Sequence, residues 1–464
     1  NPGHQERVNH ILAKQVFGVA ITELTALLAR RSVYCSKYAN GKHSICTEFD
    51  TPQGNIWFER TEHTWVGGKE KIITVDDKGN EVEITTGGTC KFCGANQKEY
   101  QRVLEAESYA YSLIHSDSPQ SWSEKTFGEK MQFDVIVGNP PYQLGDGGGE
   151  GSSAIPLYHR FVEQARALQP KCLTMVIPAR WYSGGKGLDS FRESMLKSDF
   201  LVELHDFPET DLVFPGVNIR GGVCYFLGRE SHEGKTKVVN YRKGSDPNIS
   251  LRFLRLPSND AFVRYNQSVS IVEKVISAGE ETFDGRVQAR NHFGIPANFA
   301  DFATSKTPKR SVVLYRSRRG SSGDKRVFVS PDVIASNPAS KDRIKVLVSK
   351  ASPGGDEYPH SVFSEPVIAS KNSVCTETYL ILDFVDSFEA AQNLVSYMKT
   401  KFFRFLVAQL KATQNISRGS FALVPVLDLS KAWTDEELYA KYKLTEEEIE
   451  FIESMIRPME LEHA

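Results

Sequence analysis

One stretch constrains this chain more than any other. Residues 133–137, of which all but Asp134 are apolar, are followed directly by Gly138-Asn139-Pro140-Pro141-Tyr142. The apolar run predicts a short buried strand. Two consecutive prolines cannot continue a strand or a helix, so Asn139 and Tyr142 are expected in a stiff, extended loop at the carboxyl end of that strand. Open α/β sheets bind their ligands at this end, so we predict a ligand site here.

The chemistry of this loop suits an amino group on a planar ring. The side-chain oxygen of Asn139 and the carbonyl of Pro140 are both acceptors and can hold the two hydrogens of one NH₂ group. Tyr142 offers a flat face, and stacking of a base on an aromatic ring contributes roughly 1–3 kcal/mol. The alternative is a strand that ends at two prolines, with a tyrosine on the surface.

The motif Asn139-Pro140-Pro141-Tyr142 after residues 133–138 resembles the catalytic motif of N6-adenine-specific DNA methyltransferases. From about residue 15 to residue 459, the chain is similar to methylase subunits of type II restriction–modification enzymes. The resemblance implies S-adenosylmethionine as cofactor and double-stranded DNA as partner. It also implies that Asn139, Pro140, Pro141 and Tyr142 are catalytic, and that Phe214 stacks on the target base opposite Tyr142. The residues alone leave Phe214 open as a core phenylalanine.

The fold class implied by this resemblance is α/β. We expect a Rossmann-like methyltransferase core, incomplete at its N-terminus, with a zinc-ribbon insertion and a following mixed α+β target-recognition domain. The expected boundaries are 1–34 and 98–235 for the catalytic core, 35–97 for the zinc-binding insertion, 236–285 for a connecting region, 286–425 for DNA target recognition and 426–464 for a C-terminal helical tail.

The cofactor residues are less well marked. In the family an acid at the end of the second strand holds the cofactor ribose, but Ala20 stands at that position here and Glu23 is the nearest substitute. Asp117 is the candidate for the cofactor adenine, and Asn139 lies beside the reacting methyl group. The family's glycine-rich first motif has no counterpart in residues 1–14. We therefore expect a fragment of a longer protein, and weak or absent binding of S-adenosylmethionine by this chain alone.

A cysteine-rich segment predicts a metal. Cys90-Lys91-Phe92-Cys93-Gly94 has the pattern of a zinc knuckle, with two thiolates on a tight turn. Tetrahedral zinc needs two further ligands, and we choose Cys46 and His63, which lie in the strand-like part of the insertion. Cys35 in place of His63 is the second choice, and free thiols are the alternative. A zinc ion here would be structural, because the module is too small to hold a core of its own.

Charge is unevenly distributed along the chain. The formal net charge is −2, yet residues 301–350 hold 12 Lys/Arg and 4 Asp/Glu, a local net charge of +8. Arginine reads guanine edges and neutralises phosphates. We therefore predict DNA contacts from five residues of this segment: Arg316, Arg318, Arg319, Lys325 and Arg326. A solvated basic surface is the alternative.

Composition bounds the class of protein. A chain of 464 residues with 40% hydrophobic and 25% charged residues is typical of a globular protein with two or three domains. No membrane span or signal peptide is apparent, and seven cysteines without a secretion signal favour reduced thiols in the cytoplasm. We find no nuclease centre, so any nuclease activity would belong to a preceding domain or a separate subunit. The leading function is adenine N6-methylation of DNA. The alternatives are a non-catalytic DNA-recognition fragment and a protein-glutamine methyltransferase.

Overall fold

The structure, a computed structural model, describes most of the chain. The described residues are 3–68, 70–75, 81–97, 110–128, 130–143, 155–197, 199–217, 219–256, 259–316, 326–351, 359–411 and 415–459. The statements below refer to these residues.

Capping side chains account for where several helices begin. Thr22, Ser118, Ser387 and Thr434 each accept a hydrogen bond from the backbone N–H of the third helical residue, which satisfies a donor that the helix itself cannot pair. The α-helices are α1 (His4–Lys14), α2 (Glu23–Tyr34), α3 (Pro119–Phe127), α4 (Tyr158–Ala167), α5 (Asp189–Leu196), α6 (Asn266–Ser277), α7 (Phe388–Lys399), α8 (Lys401–Leu410), α9 (Asp435–Lys441) and α10 (Glu446–Met455).

The strands are short, and apolar or β-branched residues are frequent in them. In chain order they are β1 (Gly18–Val19), β2 (Ile56–Trp57), β3 (Arg60–Thr61), β4 (Trp65–Val66), β5 (Glu70–Val75), β6 (Glu81–Thr86), β7 (Thr89–Cys90), β8 (Ala110–Tyr111), β9 (Val135–Gly138), β10 (Cys172–Pro178), β11 (Leu201–Phe207), β12 (Val223–Gly228), β13 (Thr236–Asn240), β14 (Asn248–Arg252), β15 (Arg255–Leu256), β16 (Asn259–Phe262), β17 (Val312–Tyr315), β18 (Arg326–Val329), β19 (Ile344–Ser349), β20 (Val367–Ala369), β21 (Ser373–Cys375) and β22 (Tyr379–Val385).

The chain divides into two compact units, and the first holds the predicted catalytic motif. It comprises Asn1–Ile177, Lys186–Phe191 and Tyr225–His232. Strands β1 and β2 pair in parallel, as do β9 and β10, whose register aligns Val135 with Cys172. Three antiparallel pairs, β3 with β8, β4 with β7 and β5 with β6, lie between β2 and β9 in the chain.

The second unit comprises Pro178–Gly185, Arg192–Cys224 and Glu233–Ala464. Strand β13 pairs in parallel with β11 and antiparallel with β14. Further along the chain, β17 pairs with β18 and β21, and β19 pairs with β20 and β22. The apolar faces of α6, α7, α8 and α10 contribute to one large buried core. Parallel pairs with helices in both units confirm the expected α/β class.

The structure corrects three expectations. Strand β9 is not buried, since Val135 and Val137 are 56% and 75% exposed. It is the last strand of its sheet, with β10 as its one paired neighbour among the described residues. The apolar spacing over residues 388–410 predicts one long helix, but the structure has two, because Thr400 adopts an extended conformation and caps α8. The sequence also predicts a helix over residues 105–114. Residues 98–109 lie outside the described part, and Ser112–Ile114 is a 3₁₀ turn.

No helix in the described part of the chain has both the length and the apolar character needed to cross a membrane.

Candidate active site and metal centre

The motif loop leaves β9 at its carboxyl end, as the sequence predicted. Asn139 is exposed, and its side chain makes no hydrogen bond to the described residues, whereas Pro140 is buried. The backbone N–H of Leu157 donates to the carbonyl of Tyr142 over 3.1 Å, which ties the end of the motif to the start of α4. The loop is therefore anchored on both sides, while the amide of Asn139 stays available to a ligand.

A pocket of about 240 Å³ lies next to this loop. Most of its lining is apolar, and Asn139, Pro140 and Pro141 stand in it. The remaining lining residues are Phe17, Gly18, Val19, Ala20, Ile21, Glu59, Tyr111, Ser112, Leu113, Trp122, Phe127, Phe133, Val135, Ile136, Val137, Gly138, Phe161, Ala165, Leu168 and Met175.

The edges of two strands, β1 and β9, line the pocket. Consecutive residues of both β1 and β9 line it. Successive side chains of a strand point to opposite faces, so an uninterrupted run of lining residues means that the pocket lies against the strand edge. Strand β1 pairs only with β2 among the described residues, and β9 only with β10. The pocket therefore has two open strand edges as walls and the Asn139 loop at one end.

Glu59 is a pocket residue that the sequence analysis missed. It follows β2 and is the one charged side chain among the lining residues that the structure describes. Its carboxylate lies 3.4 Å from the ammonium of Lys125, and 46% of its side chain is exposed. The sequence could have indicated Glu59, because it is an acid directly after the apolar run 56–58. The sequence analysis looked for the ribose-binding acid after β1 instead.

The predicted cofactor residues Glu23 and Asp117 do not line this pocket. Glu23 is the exposed first residue of α2. Asp117 forms a salt bridge of 2.8 Å with Lys91. Their roles in cofactor binding stay predictions, as does that of Asn139, which does line the pocket.

Phe214 belongs to the second unit, whereas Tyr142 belongs to the first. Phe214 is half-buried and follows a 3₁₀ turn, where its N–H donates to the carbonyl of Thr210 over 2.8 Å. Tyr142 is half-buried as well. Their pairing around a base stays a prediction.

Four side chains of the first unit form a group that can hold a metal ion. The ligand atoms of His63, Cys90, Cys93 and His115 all lie within 4.8 Å of one another. Nδ1 of His63 is 3.4 Å from Sγ of Cys93. In a tetrahedral zinc site with bonds of roughly 2.3 Å to sulfur and 2.0 Å to nitrogen, these two atoms would be about 3.5 Å apart. The donor set of two thiols and two imidazoles also suits zinc.

Hydrogen bonding and burial prepare His115 for a metal. Its Nδ1 lies 2.8 Å from the carbonyl of Tyr111, which can only accept, so Nδ1 carries the hydrogen. The other nitrogen, Nε2, is buried and has no hydrogen-bond partner among the described residues. A second hydrogen bond of this kind is what orients metal-bound histidines.

Burial also shifts the pKa values of the group. It lowers the pKa of His63 to about 4, with His115 adding to the effect, and it lowers the pKa of His115. It raises the pKa of Cys93 to about 12. At neutral pH both imidazoles are therefore neutral and can coordinate a metal. The thiol of Cys93 keeps its proton unless a cation replaces it.

The predicted ligand set is wrong at one position. Cys46 is 2% exposed and packs with Leu12, Tyr34 and Ile56 in an apolar cluster that is separate from the one containing Cys90 and Cys93. Cys35, the second choice, is exposed at the end of α2 and is not in the group either. His115 takes the fourth position, although it lies beyond the predicted insertion 35–97. The strand pairs around Cys90 do not by themselves confirm a zinc ribbon.

The predicted DNA-contacting residues lie in the second unit. Arg316 follows β17 and Arg326 opens β18, and these strands form an antiparallel pair that aligns Tyr315 with Arg326. The guanidinium of Arg316 lies 4.3 Å from the ring centre of Phe302. Arg318, Arg319 and Lys325 are outside the described residues. The structure thus places two of the five residues, both at the same end of the β17–β18 pair.

Part of the chain is similar to known proteins. Residues 14–214 match the family model described as Eco57I restriction-modification methylase. An "Uncharacterized adenine-specific methylase" of Mycoplasma pneumoniae (strain ATCC 29342 / M129 / Subtype 1) is 33% identical over 251 residues, which are 51% of this chain and 56% of that protein.

Two solved structures are also similar. One is the type IIG restriction endonuclease BpuSI, at 12% identity and a TM-score of 0.29, covering 67% of this chain and 49% of that one. The other is the type IIL restriction-modification enzyme MmeI in complex with DNA, at 10% identity and a TM-score of 0.36, covering 62% and 45%. The chain thus spans about half the length of each of these relatives.

Proposed function

We propose that this chain, whose residues 14–214 match the Eco57I restriction-modification methylase family model, belongs to an enzyme that methylates N6 of adenine in DNA. The observation that carries this proposal is the exposed, unpaired amide of Asn139 at one end of an apolar pocket. The Mycoplasma relative is named as an adenine-specific methylase, which supports adenine as the target.

The motif loop performs the central task of this reaction. The side-chain oxygen of Asn139 and the carbonyl of Pro140 accept the two hydrogens of the adenine amino group. The nitrogen lone pair is then free to attack, and the proton leaves after the methyl group has been transferred. Because the amino nitrogen cannot be reached inside a stacked duplex, the base must be flipped out, at a cost of a few kcal/mol. Tyr142, together with Phe214, holds the extruded base by stacking.

The pocket beside the loop would form part of the site for S-adenosylmethionine, which supplies an electrophilic methyl group when bound. Asn139 lies in the pocket lining, and Glu59 would offer a carboxylate to the cofactor's hydroxyl groups. The unpaired edges of β1 and β9 agree with our expectation that this chain alone binds the cofactor weakly or not at all. Glu23 stays our proposed contact to the cofactor ribose, and Asp117 our proposed contact to its adenine.

We further propose that the four-residue group binds structural zinc. Zinc with four protein ligands has no open position for catalysis, so its role is to hold the protein in shape. His63, Cys90, Cys93 and His115 come from separate segments of the first unit, which a bound ion would tie together. None of the seven cysteines, all within the described residues, forms a disulfide, which fits the proposed cytoplasmic location.

DNA is the proposed partner of the second unit. Arg316 and Arg326 lie at the same end of the β17–β18 pair, within the basic segment 301–350, and we keep residues 286–425 as the proposed recognition domain. The other proposed boundaries also stand as given above. A nuclease domain or subunit remains part of the proposal only for the longer protein.

Methyl transfer from labelled cofactor to duplex DNA tests the function in the full-length natural gene product. Asn139→Ala removes one preorganised hydrogen-bond partner, and we expect the rate of adenine methylation to fall by about 10²–10³-fold. Gln143→Ala is the matched control, because this exposed neighbour lies outside the motif and the pocket lining. An unchanged rate for Asn139→Ala, or labelling of peptide instead of DNA, would contradict the proposal.

A further inference from the structure

We propose that the metal held by His63, Cys90, Cys93 and His115 fixes one wall of the Asn139 pocket. The wall segment is Tyr111, Ser112 and Leu113, all of which line the pocket. None of the four metal ligands lines it, so the metal would act on ligand binding without touching the ligand. This inference rests on the zinc site proposed above.

The wall segment and the ligand His115 are parts of one turn. The 3₁₀ helix Ser112–Ile114 ends directly at His115. The carbonyl of Tyr111 accepts from the backbone N–H of His115 over 3.2 Å and from its Nδ1 over 2.8 Å. The orientation of the imidazole and the path of the wall are therefore set together. A metal that fixes Nε2 of His115 also fixes Tyr111.

The wall and the knuckle also share a core. Ile114, which is 3% exposed, belongs to the same apolar cluster as Cys90 and Cys93. Phe161 of α4 is in this cluster and lines the pocket as well. A change in the position of the cysteines is thus transmitted by direct packing to the side chains around the pocket.

The wall segment is also held by other contacts. Tyr111 stands opposite Arg60 in the pairing of the two-residue strands β3 and β8, and its ring centre lies 5.8 Å from that of Phe161. Nε1 of Trp122 donates to Oγ of Ser112 over 3.3 Å. A single 3₁₀ turn has poor hydrogen-bond geometry and little stability of its own. A bond from His115 to the ion would therefore add a constraint at the end of this turn.

Fluorine NMR of the full chain labelled with 5-fluorotryptophan tests the inference directly, because the five tryptophans are well placed. Trp65 stacks on His63 with ring centres 4.9 Å apart and reports on the metal site. Trp122 contacts Ser112 and reports on the wall. Trp433 donates to the carbonyl of Asp428 in the second unit and is the internal control. Single Trp→Phe variants assign the resonances.

Removal of zinc with a chelator should move the Trp65 and Trp122 resonances by more than their line widths and leave Trp433 in place. Added zinc should restore both. His115→Ala should reproduce the Trp122 shift in zinc, and His115→Cys, which restores a ligand, should reverse it in part. If the alanine variant fails to fold, the chelation experiment on the unaltered chain decides.

A Trp65 resonance that moves while Trp122 stays fixed would overturn the inference and leave the zinc site standing. A purified protein that contains no zinc by elemental analysis and takes up none would overturn both. Neither measurement involves cofactor or DNA, so both outcomes are independent of whether the chain belongs to an adenine methyltransferase.

Discussion

The carboxylate of Glu59 lies 3.4 Å from the ammonium of Lys125 and is the one charged side chain among the described residues that line the Asn139 pocket. Both side chains are largely exposed, so this pair contributes little to stability. A lone acid on an apolar wall is better explained by a ligand with hydroxyl or amino groups. We expect Glu59→Gln to weaken binding of S-adenosylmethionine by about tenfold, the loss of roughly 1.4 kcal/mol expected for one charged hydrogen bond.

Lys125→Met is the matched control for Glu59, because it removes the salt-bridge partner and leaves the pocket lining intact. Isothermal titration calorimetry on the full-length gene product measures both variants. Equal weakening by the two changes would assign the effect to the salt bridge, and no weakening by Glu59→Gln would remove this residue from the site.

The two candidate ligand sets for the metal differ only in Cys46 and His115, so one pair of variants separates them. We expect Cys46→Ser to retain about one zinc per chain, since Cys46 packs in a separate apolar cluster. His115→Ala should lose the ion or bind it at least tenfold more weakly, the lower end of what is lost when a metal site is damaged. Elemental analysis after dialysis gives the stoichiometry. Loss of zinc in Cys46→Ser with retention in His115→Ala would restore the ligand set predicted from sequence.

The local sequence was enough to predict the motif loop, but it did not predict the exposure of strand β9. The position of Asn139 after a strand follows from an apolar run and two prolines, all within ten residues. The exposure of Val135 and Val137 did not follow, because burial depends on what pairs with the other edge of β9. An apolar run predicts a strand but not its neighbours.

The candidate metal group shows the same limit. The proximity of Cys90 and Cys93 follows from their spacing, which is local. Which further side chain joins them depends on which distant segment folds back onto Cys90 and Cys93, and the sequence does not give that. His115 could have been found from the helix-breaking Ser116-Asp117-Ser118 that follows it, which places it at the end of a turn. The break at Thr400 had a similar local signal, since threonine is a common helix cap.

Replacing Asp206, which forms an ion pair with Arg264 in the second unit, should lower the free energy of unfolding considerably. Asp206 is 1% exposed and accepts two hydrogen bonds from the guanidinium of Arg264, at 2.8 and 2.9 Å. Asp206→Asn would leave the guanidinium of Arg264, whose side chain is 20% exposed, without its counter-charge. Removing one partner of a buried pair costs about 3–5 kcal/mol, and the partial exposure of Arg264 places the expected loss at the lower end of that range. We expect the urea midpoint of the second unit to fall accordingly.

Glu203→Gln on the same strand is the control for Asp206. Glu203 is partly exposed and pairs with His205 and Lys237, at 3.0 and 3.4 Å, so its loss should cost only about 0–1 kcal/mol. The double variant Asp206→Leu with Arg264→Met removes both charges and should recover most of the stability lost by Asp206→Asn. A midpoint for Asp206→Asn equal to that of Glu203→Gln would contradict the importance of the pair.

Lys345 is buried, and among the described residues no carboxylate forms a hydrogen bond with it. We therefore expect the stability of the protein to depend on pH through this residue. Its side chain is 0% exposed, and its ammonium donates to the carbonyl and hydroxyl of Ser373, at 2.9 and 3.0 Å. Burial lowers the pKa of Lys345 to about 8, an effect that nearby Cys375 and Asp342 oppose. In the unfolded chain its pKa is 10.5.

Between these two pKa values the unfolded chain holds a proton that the folded chain has released. The free energy of unfolding must therefore rise with pH from about 8 to about 10.5, and this group adds no slope below pH 8. Relative to Lys345→Met, which cannot titrate, we expect the native protein to gain on the order of 1–3 kcal/mol over that window. Urea unfolding of both proteins at pH 7.5 and pH 10 measures the difference. If the difference in unfolding free energy between the two proteins does not change with pH, Lys345 has the same pKa in the folded and the unfolded chain.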